Sequence, residues 1–324
     1  MSDDFLWDRS GEPDPLVEEL ERKLRPLRYA SPPAGVARPR PRRAAFVWIA
    51  AAAAGIAIAF TLFPKSGERA PERAPGYEVA LLEGEATVGS LALRREEPQR
   101  LGEGSVLRCG AGSRARIAIA GLGDADLEGP AEIALERSSA ELHRLFLRHG
   151  GLRASISPSA RPRLFQVGTP AGTAVDLGCI YTMAVRPDGR TELRVQLGRV
   201  AFEIGKRSVF VWSGASCVAD PARGAGTPVD DAAGESLRSA LRAYDGEDDA
   251  AARRRHLETA LAAARSSDAR TLWHLLGATE RELREPVYER LAALSPPPAR
   301  ATREACLRGD ADALEAWRVD LMGW

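Results

Sequence analysis

Residues 180–204 read IYTMAVRPDGRTELRVQLGRVAFEI. Apolar and polar side chains alternate through Ile180–Val185, Leu193–Leu197 and Val200–Ile204, the period of a strand with one face buried. Pro187-Asp188-Gly189 stands between the first two runs and supplies a hairpin turn: Pro fixes one backbone angle, and Gly accepts an angle closed to other residues. The same pattern continues on both sides of this stretch. Short alternating runs occur at Tyr77–Leu82, Ala86–Val88, Ala115–Ile119, Glu132–Leu135, Leu142–Leu147, Leu164–Val167 and Ser208–Val211, broken by glycines. Strands at this spacing predict a mainly β domain over residues 77–219, built as a sandwich, barrel or solenoid.

Beyond it, Pro221–Asp231 reads as a loop within a linker at 220–232, and the period then changes. Apolar residues recur at helical spacing in Ala233–Tyr244, Ala250–Ala264, Ala269–Leu276, Arg281–Leu294, Thr302–Leu307 and Asp312–Leu321. Leu257 with Leu261, Val287 with Leu291 and Leu294, and Leu314 with Trp317 and Leu321 mark the inward faces. Pro296-Pro297-Pro298 interrupts the run. An all-α unit over 233–324, a small bundle or a stack of helical hairpins, is expected.

On the N-terminal side, Ala44–Phe63 reads AAFVWIAAAAAGIAIAFTLF, with no charge and Thr61 as its one polar side chain. Twenty residues rising 1.5 Å each span about 30 Å, the thickness of a bilayer's hydrocarbon core. Prolines bracket the segment, and Arg38, Arg40, Arg42 and Arg43 crowd its N-terminal edge. The expectation is one transmembrane helix at 44–63 in the cytoplasmic (inner) membrane, N-terminus in the cytoplasm and C-terminus in the periplasm. A cleaved signal peptide has a short basic leader, whereas 43 residues precede this segment. Residues 1–43 form a tail whose Asp14-Pro15 opens a short amphipathic helix, with Leu16, Leu20, Leu24 and Leu27 on one stripe. That stripe, with Trp7, needs a partner, because so short a unit cannot bury its own core. Residues 64–76 read as a second linker.

Composition excludes more than it assigns. Acidic and basic residues balance at 45 each, which argues against a dedicated nucleic-acid binder. The four cysteines, Cys109, Cys179, Cys217 and Cys306, form no C-x-x-C pair, and read as buried free thiols or as disulfides with three possible pairings. His143, His149, His256 and His274 have no metal-ligand spacing; the first two are expected on a strand surface or in a turn, and His274 as a packing or surface residue. No G-x-S-x-G or complete dinucleotide fingerprint is present, so no catalytic residue, metal ligand or cofactor is expected. Arg253-Arg254-Arg255-His256 reads as a solvated helix face that could also touch an anionic lipid or polymer.

The run Val167-Gly168-Thr169-Pro170-Ala171-Gly172-Thr173-Ala174-Val175-Asp176-Leu177-Gly178 resembles the signature of the FecR family, V-x-T-P-x-G followed by an apolar stretch and a closing Gly. Leu193, Val195, Leu197, Gly198 and Val200 match the strand and Gly-x-Val turn that follow it. These proteins are bacterial inner-membrane regulators of extracytoplasmic-function sigma factors. The resemblance covers residues 77–215 and the membrane topology. It implies a periplasmic β domain that senses or binds a ligand, an envelope protein or a polymer, and a cytoplasmic tail whose Trp7, Leu16, Leu20, Leu24 and Leu27 contact a sigma factor. Cys179 and Tyr181 stand where the family usually has Thr and Phe. The tail is shorter than the common one, and the helical C-terminal unit differs from that of iron-transport members. On physical grounds the motif specifies a fold. Thr169-Pro170 sets an extended turn, Gly172, Gly178 and Gly198 take special backbone angles or close approaches, and Asp176 caps a turn. An envelope scaffold without sigma-factor control is the alternative.

Overall fold

The computed structural model describes residues 76–323 apart from 120 and 206. All of these belong to one compact unit at 72–324. No helix among the described residues is long and apolar enough to cross a membrane; the 44–63 segment and the tail lie outside them.

The strands are β1 Gly76–Glu83, β2 Ala86–Val88, β3 Leu91–Ala92, β4 Gln99–Gly102, β5 Val106–Cys109, β6 Arg114–Ile119, β7 Gly123–Ser138, β8 His143–Ile156 and β9 Phe165–Thr169. They continue as β10 Gly172–Asp176, β11 Ile180–Val185, β12 Thr191–Leu197, β13 Arg199–Ile204, β14 Arg207–Trp212, β15 Ala215–Asp220, β16 Gly224–Ala225 and β17 Val229–Asp230. All pair into one connected sheet, antiparallel except β8 with β9. Its ladders form two series. The first runs β4–β1–β6–β7–β8–β11–β12–β15, with β16 and β17 on β15. The second runs β3–β2–β5–β7–β8–β9–β10–β13–β14.

Both series share β7 and β8 because that hairpin is long and creased. Gly123–Glu128 of β7 pairs with Gly151–Ile156 of β8, and Glu132–Ser138 pairs with His143–His149. The register shifts between the two halves, where Gly129-Pro130, a cis peptide bond, faces Gly150-Gly151. The stretch of β7 between Leu127 and Ile133 is longer than the stretch of β8 opposite it, as in a bulge, and across the shift the buried set of β8 switches from His143, Leu145 and Leu147 to Leu152, Ala154 and Ile156. Only glycine fits this crease. A Cβ on Gly129 would sit 1.8 Å from the Gly110 carbonyl oxygen, and one on Gly150 2.2 Å from the Ala131 Cβ. Alternation then puts one face of every long strand into a single core that includes Val79, Ile117, Leu127, Ile133, Leu145, Val167, Val195 and Phe202. Each such side chain contributes about 1.5–3 kcal/mol by leaving water. Of the architectures left open by periodicity, the pairing is that of a creased two-layer sheet.

The alternating runs all fall on strands, but the runs Glu132–Leu135 and Leu142–Leu147 cover only parts of β7 Gly123–Ser138 and β8 His143–Ile156. Seven strands were not expected as such: β3, β4 and β5, which are short and flanked by charge, β10 inside the glycine-rich motif, β15, and β16 and β17. The expected loop 221–231 is partly a sheet edge, since β16 and β17 pair on β15.

Six helices follow among the described residues: α1 Glu235–Gly246, α2 Ala250–Ala263, α3 Ala269–Ala278, α4 Arg284–Leu294, α5 Arg303–Arg308 and α6 Ala311–Met322. Asp249, Thr302 and Asp310 cap α2, α5 and α6 by accepting backbone N–H groups of their first turns. Leu237, Leu241, Leu257, Leu272, Leu275, Val287, Leu291 and Trp317 form a second core. Tyr288 meets Trp317 edge-on there, centroids 5.4 Å apart.

Candidate functional site

The helical unit meets the sheet along β14, which pairs on one side with β13. Trp212, at the end of β14, is 3% exposed and stacks on His274 of α3, centroids 5.6 Å apart and planes 11° from parallel. Arg270 lies 5.1 Å from the Trp212 centroid and 3.6 Å from Asp230, and Arg318 of α6 lies 5.9 Å from the Phe210 centroid. Trp212 Nε1 donates to Asp230 Oδ2 at 3.5 Å. His274 is 9% exposed. Burial first, and then the nearby Arg318, lower its pKa to about 3, against a hydrogen bond to the Phe210 backbone. The ring is therefore neutral at physiological pH, and its buried Nε2 has no protein partner.

Beside this stack opens a cleft of about 480 Å³. One wall comes from the β11–β12 turn and the chain around β15 and β16, the other from α1, α2 and α3. Five guanidinium groups line it: Arg186, Arg190, Arg223, Arg242 and Arg253. Glu192, Asp220 and Asp245 line it too, the last two engaged in folding the 220–228 segment. Asp220 accepts from the N–H groups of Ala222 and Arg223 and from Arg190 Nε, and these bonds hold its carboxyl below the usual range. Asp245 of α1 accepts from Thr227 N at 2.8 Å and from Thr227 Oγ1 at 3.0 Å. Tyr244, 4% exposed, bonds Thr279 through its hydroxyl and carries Arg253 on its ring face at 4.8 Å.

The motif residues form a different locus. Thr169 closes β9, its hydroxyl donates to the Gly172 carbonyl at 2.9 Å, and fully buried Thr191 of β12 donates to it at 3.1 Å. Pro170 lies against Gly189 of the Pro187-Asp188-Gly189 turn. Gly172, Gly178 and Gly198 have φ of 149°, 90° and 79°, angles that residues with a Cβ rarely adopt. Asp176 Oδ1 accepts the Gly178 N–H, so this carboxylate does cap its turn. Its Oδ2 and the Tyr181 hydroxyl are buried without partners. Burial raises Asp176 from 3.8 to about 6, opposed by hydrogen bonds from Gly178 and Cys179. These contacts hold strands together and expose no reactive group.

All four cysteines are buried free thiols. Burial, then the neighbouring Asp176 charge, push Cys179 up to about 12, and its thiol donates to the Arg199 carbonyl. Burial also raises Cys109 to about 11 and Cys217 further. His143 is not on a strand surface: it is 8% exposed and bonded through Nδ1 to the Tyr77 hydroxyl at 2.8 Å, because the buried parity of β8 includes position 143. His149 is exposed at the crease. Among the described residues no group of three or more His, Cys, Asp or Glu could hold a metal ion.

Trp7, Leu16, Leu20, Leu24 and Leu27 lie outside the described residues. Of the 253–256 basic run, Arg253 reaches the cleft, while His256 lies 4.0 Å from Glu247. The cleft has no signature in the sequence. Its arginines are scattered between Arg186 and Arg253 and share no local pattern.

No family model matches the sequence, and no curated protein matches it. Among solved structures, the chain is similar to two crystal structures, at 2.50 and 1.65 Å resolution, of a "putative anti-sigma factor" from Parabacteroides distasonis. Each gives a TM-score of 0.34 at 11% identity and covers 43% of this chain, which spans 64% of the length of that one.

Proposed function

We propose that this chain is a single-pass inner-membrane regulator of an extracytoplasmic-function sigma factor, with an N-terminal tail at 1–43 that contacts the sigma factor in the cytoplasm and a β/α portion that senses or binds a signal in the periplasm. The observation that carries the reading is the V-x-T-P-x-G motif. Its residues are spent on folding: Thr169, Pro170, Gly172, Asp176 and Gly178 shape the β9–β10 hairpin and the turn after it. A motif used this way marks a kind of domain, and the kind it resembles is the FecR domain. The apolar 44–63 segment with its arginine edge supports the topology.

Residues 1–43 used as bait should capture a sigma factor, and deleting them should change transcription from that factor's promoters. Reporter fusions at residues 30 and 80 should place the first in the cytoplasm and the second in the periplasm. Tail deletion without any change in transcription would sink the reading.

The competing reading is a membrane-anchored scaffold for an envelope polymer. One observation favours it. Arg116, Asp126, Arg153, Thr182, Arg194 and Ser216 lie opposite one another across six strands, a polar row on one face of the first series. Retention of the full chain on purified envelope polymer, with no transcriptional effect of the tail, would select it.

A further inference from the structure

We infer that the cleft between β15–β16 and helices α1–α3 is a binding site for a small organic anion, a carboxylate or phosphate head group carried on a compact apolar body. The site stands on the cleft's geometry; only the idea that its occupancy is the signal rests on the sigma-factor reading.

Charge inside the cleft favours an anion. Of its three acidic side chains, Asp220 and Asp245 are consumed by loop hydrogen bonds, and Glu192 alone stands against the five guanidinium groups. Arg223 forks both Nη groups onto Asp248 and Arg242 pairs with Glu235, but the other three arginines are consumed less completely. Arg186 makes no ion pair or side-chain hydrogen bond among the described residues, so a whole guanidinium at the rim lacks an acceptor. Arg190 engages Asp220 through Nε, and Arg253 engages Glu280 through Nη1. Guanidinium groups left with unfilled donors favour the paired oxygens of carboxylate and phosphate.

A buried nitrogen of a lining residue also calls for an acceptor. Arg253 Nε is removed from water with no protein partner. A donor left unmatched in this way favours an occupant that supplies the missing acceptor.

The rest of the lining sets the ligand's body. Val209, Ala225, Pro228, Tyr244 and Ala278 are apolar or aromatic. A volume of about 480 Å³ suits a small molecule rather than a polymer segment. The surroundings are fixed by the Trp212–His274 stack and the Thr227–Asp245 bonds, so the site exists before its ligand arrives.

The test is calorimetric titration of the purified full-length chain in detergent micelles with phenyl phosphate, benzoate, inorganic phosphate and benzyl alcohol. Phenyl phosphate or benzoate should bind saturably, and which of the two is tighter identifies the head group. Benzyl alcohol, which lacks the charge, and inorganic phosphate, which lacks the apolar body, should bind at least tenfold more weakly, a loss of about 1.4 kcal/mol or more. Arg186→Ala, which removes no ion pair or side-chain hydrogen bond among the described residues, should weaken binding by about tenfold while leaving the thermal midpoint unchanged. Arg190→Ala should weaken it further, and circular dichroism should show its fold retained.

Absence of binding by both organic anions at about 1 mM would overturn the inference. So would wild-type affinity in Arg186→Ala, or benzyl alcohol or inorganic phosphate binding as tightly as the organic anions. Failure of the tail to capture a sigma factor would leave these titrations unaffected, so the two claims fall separately.

Discussion

The β layers and the helical unit bury similar side chains by opposite means. In the sheet, a residue's partners come from far along the chain. Tyr77 bonds His143, β8 pairs with β11, and β7 and β8 belong to both series of ladders. In the helical unit, α2, α5 and α6 are each closed by their own preceding residue, and α1 packs mainly on α2. Damage in the first should therefore spread, and damage at a helix end should stay local.

The largest expected effect is at the crease. Gly129→Ala places a methyl group inside van der Waals distance of the Gly110 backbone, which cannot move without breaking the β5–β7 ladder. A loss of about 4 kcal/mol or more is expected, read as a collapse of the denaturant midpoint. A variant as stable as the parent would show that the crease is not the point of weakness. Next comes Trp212→Ala at the seam. It should cost about 3 kcal/mol and split one calorimetric transition into two, β and helical. A single transition at lower temperature would mean that the two regions are coupled by other contacts.

Asp176→Asn tests the sheet through pH. The folded state binds this proton more tightly than the unfolded chain does, because burial raises the group from 3.8 to about 6. Stability from the neutral form is complete at low pH and is lost as pH rises through that interval. The Asn variant should be more stable than the parent by on the order of 2 kcal/mol at pH 8, with the gap closing near pH 4, as melts across that range would record. His274 runs the other way. Its lowered value means stability is lost as pH falls from 6.5 toward about 3. The smallest effect belongs to a cap. Asp310→Ala removes the acceptor for the Asp312 and Ala313 N–H groups and should cost about 1 kcal/mol, with hydrogen exchange rising only near α6.

Periodicity was legible in strands such as β1, β6 and β11, though β5 and β15 also alternate and were missed. The β11–β12 hairpin could be read outright, since alternation and Pro187-Asp188-Gly189 agree. The crease could not, because Gly-Pro and Gly-Gly pairs in sequence signal turns that end strands rather than folds within them. β10 was hidden because Ala174, Val175 and Asp176 are buried in succession, without alternation. His143 was misplaced for want of register: nothing local says which parity of β8 faces inward. The helices announced themselves through leucine spacing. The cleft was invisible in an arginine-rich chain, where the informative quantity is which guanidinium groups lack acceptors after folding.

The first strand decides how force enters the molecule. β1 is flanked by β4 on one side and β6 on the other. A tug arriving along the chain at Gly76 meets two ladders loaded in shear, many bonds at once, instead of peeling a free margin one bond at a time. Whatever pulls there displaces the sheet as a single plate, so tension at that end is relayed as movement of the whole rather than spent on unravelling its first strand.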